Sequence, residues 1–182
     1  MFADDVWRYF PLGPVPTILM ALIGIAALLY VARTSTDRSR MLAVVMLVGT
    51  LLAVVAYTGR GAMGNDDGEF SWRVGDSIRS EWHNINRTLG MVQIFGNVLM
   101  FVPVGWLIAV LAPRFRVVVG AAAGLGVSAV VEVWQMLSGS FGDVDDLILN
   151  GAGALLGALV AWSLVNTRRP TRATTEPRLA RT

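Results

Sequence analysis

Apolar residues in this chain fall into five long runs that are separated by short polar stretches. The runs cover residues 15–32, 41–57, 94–112, 117–137 and 147–165. A bilayer core of about 30 Å is crossed by a helix of roughly 20 residues, so each run has close to the length of a membrane span. The pattern therefore predicts an all-α fold, a polytopic transmembrane bundle of five helices.

A different pattern occurs in the long link between the second and third runs. Apolar residues recur there at helical spacing, with polar residues between them: Ile78, Trp82, Ile85 and Leu89. This spacing predicts one short amphipathic helix over residues 77–89, either lying on the outer membrane surface or capping the bundle. Residues 58–69, which precede it, are rich in Gly, Asn and Asp, and this composition is typical of coil.

Charged residues sort by sign between the two ends of the predicted bundle. The basic residues of the short links lie at one end: Arg33, Arg38, Arg40, Arg114 and Arg116. Further arginines fall in the tail, residues 166–182, which we expect to be disordered and cytoplasmic. Acidic residues concentrate at the other end. The positive-inside rule then places residues 1–14 outside a bacterial plasma membrane that the chain crosses several times.

Composition removes several classes of function. Hydrophobic residues make up 54% of the chain and charged residues 15%, which excludes disorder over most of the length. The sequence has no cysteine and a single histidine, His83, so thiol chemistry and multi-histidine metal sites are excluded. The arginines flank apolar runs instead of forming one basic face. We therefore expect no cofactor and no nucleic-acid partner.

Polar residues of the last three runs converge at one depth. Glu132 is the one acidic residue inside an apolar run, and a charge in the bilayer is costly enough to indicate function. With the predicted orientation, six polar residues lie toward the outer face: Asn97, Glu132, Gln135, Asp143, Asp146 and Asn150. We expect them to form an outer-leaflet polar pocket, with Glu132 facing the bundle interior and contacting Asn97, Gln135 or Asn150.

Each of these residues also has a purely structural interpretation. Amide side chains commonly make hydrogen bonds between membrane helices, and a protonated Glu132 could do the same. Asp143 and Asp146 are compatible with a solvated loop. The spacing of Asp143, Asp146 and Asn150 puts them on one helix face if the last helix begins early. Gly153 and Gly157, four residues apart, are expected to let two helices approach closely.

Three motifs in the last three runs resemble the VanZ-like family. The first is N-x-x-x-F-x-P-x-G at residues 97–105, and the second is E-x-x-Q at residues 132–135. The third is D-x-x-D-x-x-x-N-x-x-G-x-x-x-G at residues 143–157. The resemblance covers about a third of the chain, within a core at residues 94–165. Ser140 stands where family members commonly carry an arginine.

The resemblance implies an integral membrane protein of the bacterial cell envelope. Through the protein that gives the family its name, it also implies a link to teicoplanin (glycopeptide) resistance, but no reaction. From the residues we expect binding or handling of a lipid headgroup or lipid-linked cell-wall precursor, because an acidic pocket favours amine-bearing or hydroxyl-rich groups. The sequence leaves the oligomeric state open.

Two other functions are compatible with the same residues. One is an intramembrane metal-dependent hydrolase or transferase, in which Glu132 acts as general base while Asp143 and Asp146 hold a divalent cation. The other is a small proton-coupled transporter, in which Glu132 carries the proton. A binding role without catalysis agrees better with a sequence that has no nucleophile motif and no inverted repeat.

Overall fold

A computed structural model of the chain describes residues 14–58, 70–84, 87–137 and 142–167. Its long helices are α1 (Pro14–Arg33), α2 (Asp37–Thr58), α4 (Arg87–Leu111), α5 (Arg116–Leu137) and α6 (Val144–Asn166). Between α2 and α4 lie a short strand β1 (Phe70–Ser71) and a short helix α3 (Asp76–Trp82). A second short strand, β2 (Gly142–Asp143), precedes α6.

Four of the described helices, α2, α4, α5 and α6, are long and apolar enough to cross a membrane. In α1 the apolar stretch is shorter, Thr17–Arg33. Many exposed side chains on these helices are large and apolar, as a lipid-facing surface requires: Leu19, Ile23, Val45, Leu52, Leu99 and Val130. Helices satisfy their backbone hydrogen bonds internally, which a bilayer demands. The prediction of an all-α membrane bundle is confirmed.

Helices α4 and α6 form the centre of the bundle, and glycines bring their backbones together. At Gly153 of α6, a Cβ atom would lie 2.0 Å from the carbonyl oxygen of Val98 in α4. Gly157, one turn further along α6, faces the carbonyl oxygen of Val102 at the same distance. Packing is the main attraction between helices in lipid, so this contact matters for stability. The predicted role of these two glycines is confirmed.

The amphipathic stretch forms parts of two helices instead of one. Helix α3 ends at Trp82 and Leu89 already belongs to α4, so the prediction of a single helix over residues 77–89 is wrong. Helix α3 packs against the start of α4, where a Cβ atom on Gly90 would lie 1.9 Å from the carbonyl oxygen of Glu81. Helix α3 therefore caps the end of the bundle, which is one of the two placements considered.

Strands β1 and β2 are an unpredicted feature at the same end. They pair in parallel, with Phe70 opposite Gly142 and Ser71 opposite Asp143. A Cβ atom on Gly142 would lie 2.7 Å from the Phe70 ring, so a larger residue there would push the strands apart. The pairing joins residues 70–84 to the beginning of α6, far along the chain.

The ends of the described helices differ from the predicted spans by a few residues. Helix α4 begins at Arg87 instead of residue 94, and α6 begins at Val144 instead of residue 147. Polar residues beyond the bilayer core continue a helix without adding to the apolar run. Other predicted features lie almost entirely outside the described residues and stay predictions: residues 1–14, the coil at 58–69, Ser140, and the tail at 166–182.

Candidate functional site

Asp145 connects α6 to the segment that caps the bundle. Its side chain lies in the first turn of α6 and is fully buried. The carboxylate accepts three backbone N–H bonds, from Gly75 at 2.7 Å, Ser77 at 3.0 Å and Ile78 at 3.2 Å. Two of these donors belong to the first turn of α3, whose amides have no partner within that helix. Asp145 therefore accepts hydrogen bonds from the otherwise unpaired amides at the beginning of α3 and fixes this helix against α6.

Asp143 caps the amino-terminal end of α6. Its Oδ1 accepts the backbone N–H of Asp145 at 2.9 Å, which is a standard capping bond. Its own backbone N–H donates to Oε2 of Glu132 at 2.9 Å. Glu132 is only 3% exposed and faces the bundle interior. Its hydrogen-bond partner is a backbone amide, whereas the sequence led us to expect one of three amide side chains.

The three amide side chains take different positions. Nδ2 of Asn97 donates to Oδ1 of Asp146, which joins α4 to α6. Asn150 lies one turn deeper in α6, where it is buried and donates to Oγ of Ser128 at 2.9 Å. Gln135 is half-buried and makes no side-chain hydrogen bond to another described residue. The structure therefore places four of the six predicted residues in two bonded pairs, with Asn150 and Gln135 outside them.

A cavity of about 190 Å³ lies between α3 and the first two turns of α4 and α6. Much of its lining is polar: Ser77, Ser80, Glu81, Gln93, Asp143, Asp145 and Asp146. Of the six predicted residues, Asp143 and Asp146 line this cavity, while Asn97 and Glu132 support those two through hydrogen bonds. We call it the acidic cavity. Among the described residues, no three acidic or histidine side chains are placed to hold a metal ion together.

Five polar residues of the cavity lining were absent from the predicted site: Ser77, Ser80, Glu81, Gln93 and Asp145. Asp145 stands between two predicted residues, and no local pattern separates this buried aspartate from its half-buried neighbours Asp143 and Asp146. Glu81 lies in α3, where it accepts a hydrogen bond from Nδ2 of Asn84 at 3.2 Å. Gln93 directly precedes the third apolar run. It was missed because α4 begins at Arg87, several residues before that run, and hydropathy does not show this extension.

Substitutions at Glu132 test how much its hydrogen bond to the Asp143 backbone stabilises the fold. Glu132→Gln retains an oxygen that accepts the Asp143 N–H, so we expect near-normal stability. Glu132→Leu leaves that amide without its acceptor and should lower the free energy of unfolding by roughly 1–2 kcal/mol. Denaturant titration in detergent measures both values. Glutamine and leucine variants of equal stability would show that this hydrogen bond contributes nothing.

The described site lies within a recognisable family region. Comparison with curated proteins finds no match, and neither does comparison with solved structures. Residues 17–166 match the VanZ/LLP1 family. The matched region is well over half of the chain and contains all six predicted site residues together with Asp145. The chain belongs to the VanZ/LLP1 family.

Proposed function

We propose that the acidic cavity holds the polar headgroup of a membrane lipid or of a lipid-linked cell-wall precursor. The observation that carries the proposal is that hydrogen bonds hold two aspartates of the cavity in place. The Asp146 side chain is bonded to Asn97, and the Asp143 backbone is bonded to Glu132. Side chains that are held in place before binding lose less entropy when a ligand arrives. Each carboxylate also has a second oxygen with which to accept a ligand's hydrogen bond.

The charge of the cavity favours a particular kind of headgroup. Glu81, Asp143 and Asp146 all contribute carboxylates to the lining. Ammonium and hydroxyl groups donate strong hydrogen bonds to carboxylates, whereas a bare phosphate would meet like charge. The volume of about 190 Å³ is also smaller than the roughly 300–1,000 Å³ of pockets for drug-sized ligands. An amine-bearing or hydroxyl-rich end group fits both properties.

The experiment that tests this proposal is native mass spectrometry of the full chain released from mild detergent. The unmodified protein should carry a co-purifying amine-bearing lipid or precursor, and Asp146→Asn should retain about tenfold less. Asparagine can still accept the bond from Asn97, so the fold is preserved. Asp76→Asn is the matched control, because Asp76 is exposed, lies in α3 and pairs with Arg73 at 3.8 Å. Equal retention in the two variants would refute the proposal.

Through the protein that gives the VanZ-like family its name, the resemblance also implies a link to glycopeptide resistance. We include in the proposal that headgroup binding at the acidic cavity supports growth under teicoplanin. Cells that carry Asp146→Asn should then become more sensitive to teicoplanin, while cells that carry Asp76→Asn should not.

No observation among the described residues favours the hydrolase or the transporter over a binding protein.

The proposal requires that the acidic cavity face the outside of a bacterial plasma membrane. Arginines in the links after α1 and α4 lie at the end opposite the cavity, which the positive-inside rule assigns to the cytoplasm. The carboxyl terminus is then cytoplasmic and the amino terminus external. An alkaline phosphatase fusion near Gly64 should be active, and one at the carboxyl terminus should be inactive. High activity of the carboxyl-terminal fusion would contradict a cytoplasmic carboxyl terminus.

A further inference from the structure

A second cavity, of about 350 Å³, lies at the opposite end of the bundle. It forms where α1 and α6 end and where α2 and α5 begin. Polar groups in its lining come from four parts of the chain: Thr34 and Ser35, Ser39 and Arg40, Arg116, and Asn166. No acidic residue appears in the described lining. We call it the basic cavity, and it has no part in the headgroup binding proposed above.

Arg116 is fixed in place at this cavity. Its Nη1 donates to the carbonyl oxygens of Ala109 at 2.8 Å and Val110 at 2.6 Å, in the last turn of α4. Phe115, directly before it, has a left-handed φ of 50°, so the chain turns sharply between the two helices. This turn lets the first residue of α5 fold back over the end of α4. A guanidinium charge is thereby positioned before any ligand binds.

The opposite wall of the basic cavity is ordered by Ser39. This side chain is 1% exposed, and its hydroxyl oxygen lies 2.8 Å from the carbonyl oxygens of both Thr34 and Thr36. It also accepts the backbone N–H of Thr36 at 3.0 Å. These bonds fix the link between α1 and α2. Arg40, in the first turns of α2, is exposed and lines the cavity from this side.

The lining changes from apolar to polar toward the end of the bundle. Val31 of α1 precedes Thr34 by nearly one helical turn, and Val165 of α6 precedes Asn166, so in both cases the apolar residue is further from the end of the bundle. Val110 provides a further apolar surface at the end of α4. A ligand that matches this lining has an anionic group at one end and an apolar body at the other. Free phosphate matches only the polar half.

We propose that the basic cavity binds the phosphate-bearing headgroup of an anionic phospholipid. Arg40 pairs with the phosphate, since a guanidinium presents donors in a fork that matches phosphate oxygens, and the fixed charge of Arg116 lies beside the same cavity. Basic pockets between transmembrane helices are suited to anionic headgroups, because the lipid glycerol and chains remain beside apolar helix surfaces. The apolar depth of the cavity selects a lipid over a free ion.

A pair of arginine variants tests this proposal. Arg40→Gln and Arg38→Gln each remove one exposed arginine from the start of α2, but only Arg40 lines the cavity. The full chain in detergent is titrated with phosphatidylglycerol and analysed by native mass spectrometry. Arg40→Gln should weaken phosphatidylglycerol binding about tenfold, and Arg38→Gln should leave it unchanged. Arg40→Lys, which keeps the charge, should recover much of the loss.

Three results would overturn the proposal. Equal weakening by Arg40→Gln and Arg38→Gln would mean that the lipid responds to general surface charge. Phosphatidylcholine binding as tightly as phosphatidylglycerol would mean that net headgroup charge plays no part. Displacement of phosphatidylglycerol by an equal concentration of inorganic phosphate would mean that the cavity binds free phosphate and not a lipid. None of these results bears on the acidic cavity.

Discussion

Replacing Asp145 by alanine is expected to release residues 70–84 from the end of the bundle. The substitution leaves the backbone amides of Gly75, Ser77 and Ile78 without their acceptor. Bonds to a charged acceptor contribute about 1.5–3 kcal/mol each, and three that share one carboxylate are not additive, so docking of this segment should weaken by about 3 kcal/mol. Hydrogen exchange of the three amides should then accelerate by roughly 100-fold.

Two variants act as controls for Asp145→Ala. Asp145→Asn keeps one acceptor oxygen and should produce an intermediate acceleration. Asp76→Asn removes an equal charge from an exposed position in the same segment and should leave the three amides protected. Unchanged exchange in Asp145→Ala would show that the buried carboxylate does not hold the segment against the bundle.

Gly157→Ala is expected to be a strongly disruptive substitution within the membrane helices. The added Cβ would lie 2.0 Å from the carbonyl oxygen of Val102 and 2.9 Å from the backbone nitrogen of Trp106. Both neighbours are backbone atoms of α4, so relief requires the two central helices to separate. We expect the free energy of unfolding in detergent to fall by about 3 kcal/mol or more.

Gly126→Ala in α5 is the matched control for this substitution. Nothing lies within 4 Å of a Cβ atom at Gly126, so the added methyl group enters open space. Alanine has a higher helix propensity than glycine, and the variant should be as stable as the unmodified chain or slightly more stable. Similar losses in Gly126→Ala and Gly157→Ala would contradict the close approach of α4 and α6.

The fold was largely predictable because lipid imposes a simple pattern on sequence. Apolar runs of span length and arginines beside them identify membrane helices without any tertiary information. The same reasoning fails outside the bilayer core. Helix α3 was merged with the start of α4 because Ile78 and Leu89 keep one helical period across a break. That break depends on how closely Gly90 lies against Glu81, which is a tertiary contact.

The candidate site was predictable in position but not in detail. Helix direction alone placed Asn97, Glu132 and Asp146 at one end of the bundle. Which residues bond to each other depends on β2 and on the first turn of α6, where the chain returns from α5. Asp143, Asp145 and Asp146 have similar local sequence surroundings. Only contact with residues 75–78, some seventy positions earlier, separates the buried Asp145 from its neighbours.

The chain has no cysteine, which permits a direct test of headgroup binding in the acidic cavity. Ser80 lines that cavity and is exposed, so Ser80→Cys introduces a single thiol at the site. The measurement is the rate of maleimide labelling in nanodiscs of phosphatidylcholine that contain either phosphatidylethanolamine or phosphatidylglycerol. A bound amine headgroup should cover the thiol.

We predict that phosphatidylethanolamine slows labelling of Ser80→Cys about tenfold relative to phosphatidylglycerol, and that adding Asp146→Asn removes this protection. Adding Asp76→Asn instead should leave the protection intact. Equal labelling rates in the two lipid mixtures, or protection that survives Asp146→Asn, would contradict the binding of an amine-bearing headgroup at the acidic cavity.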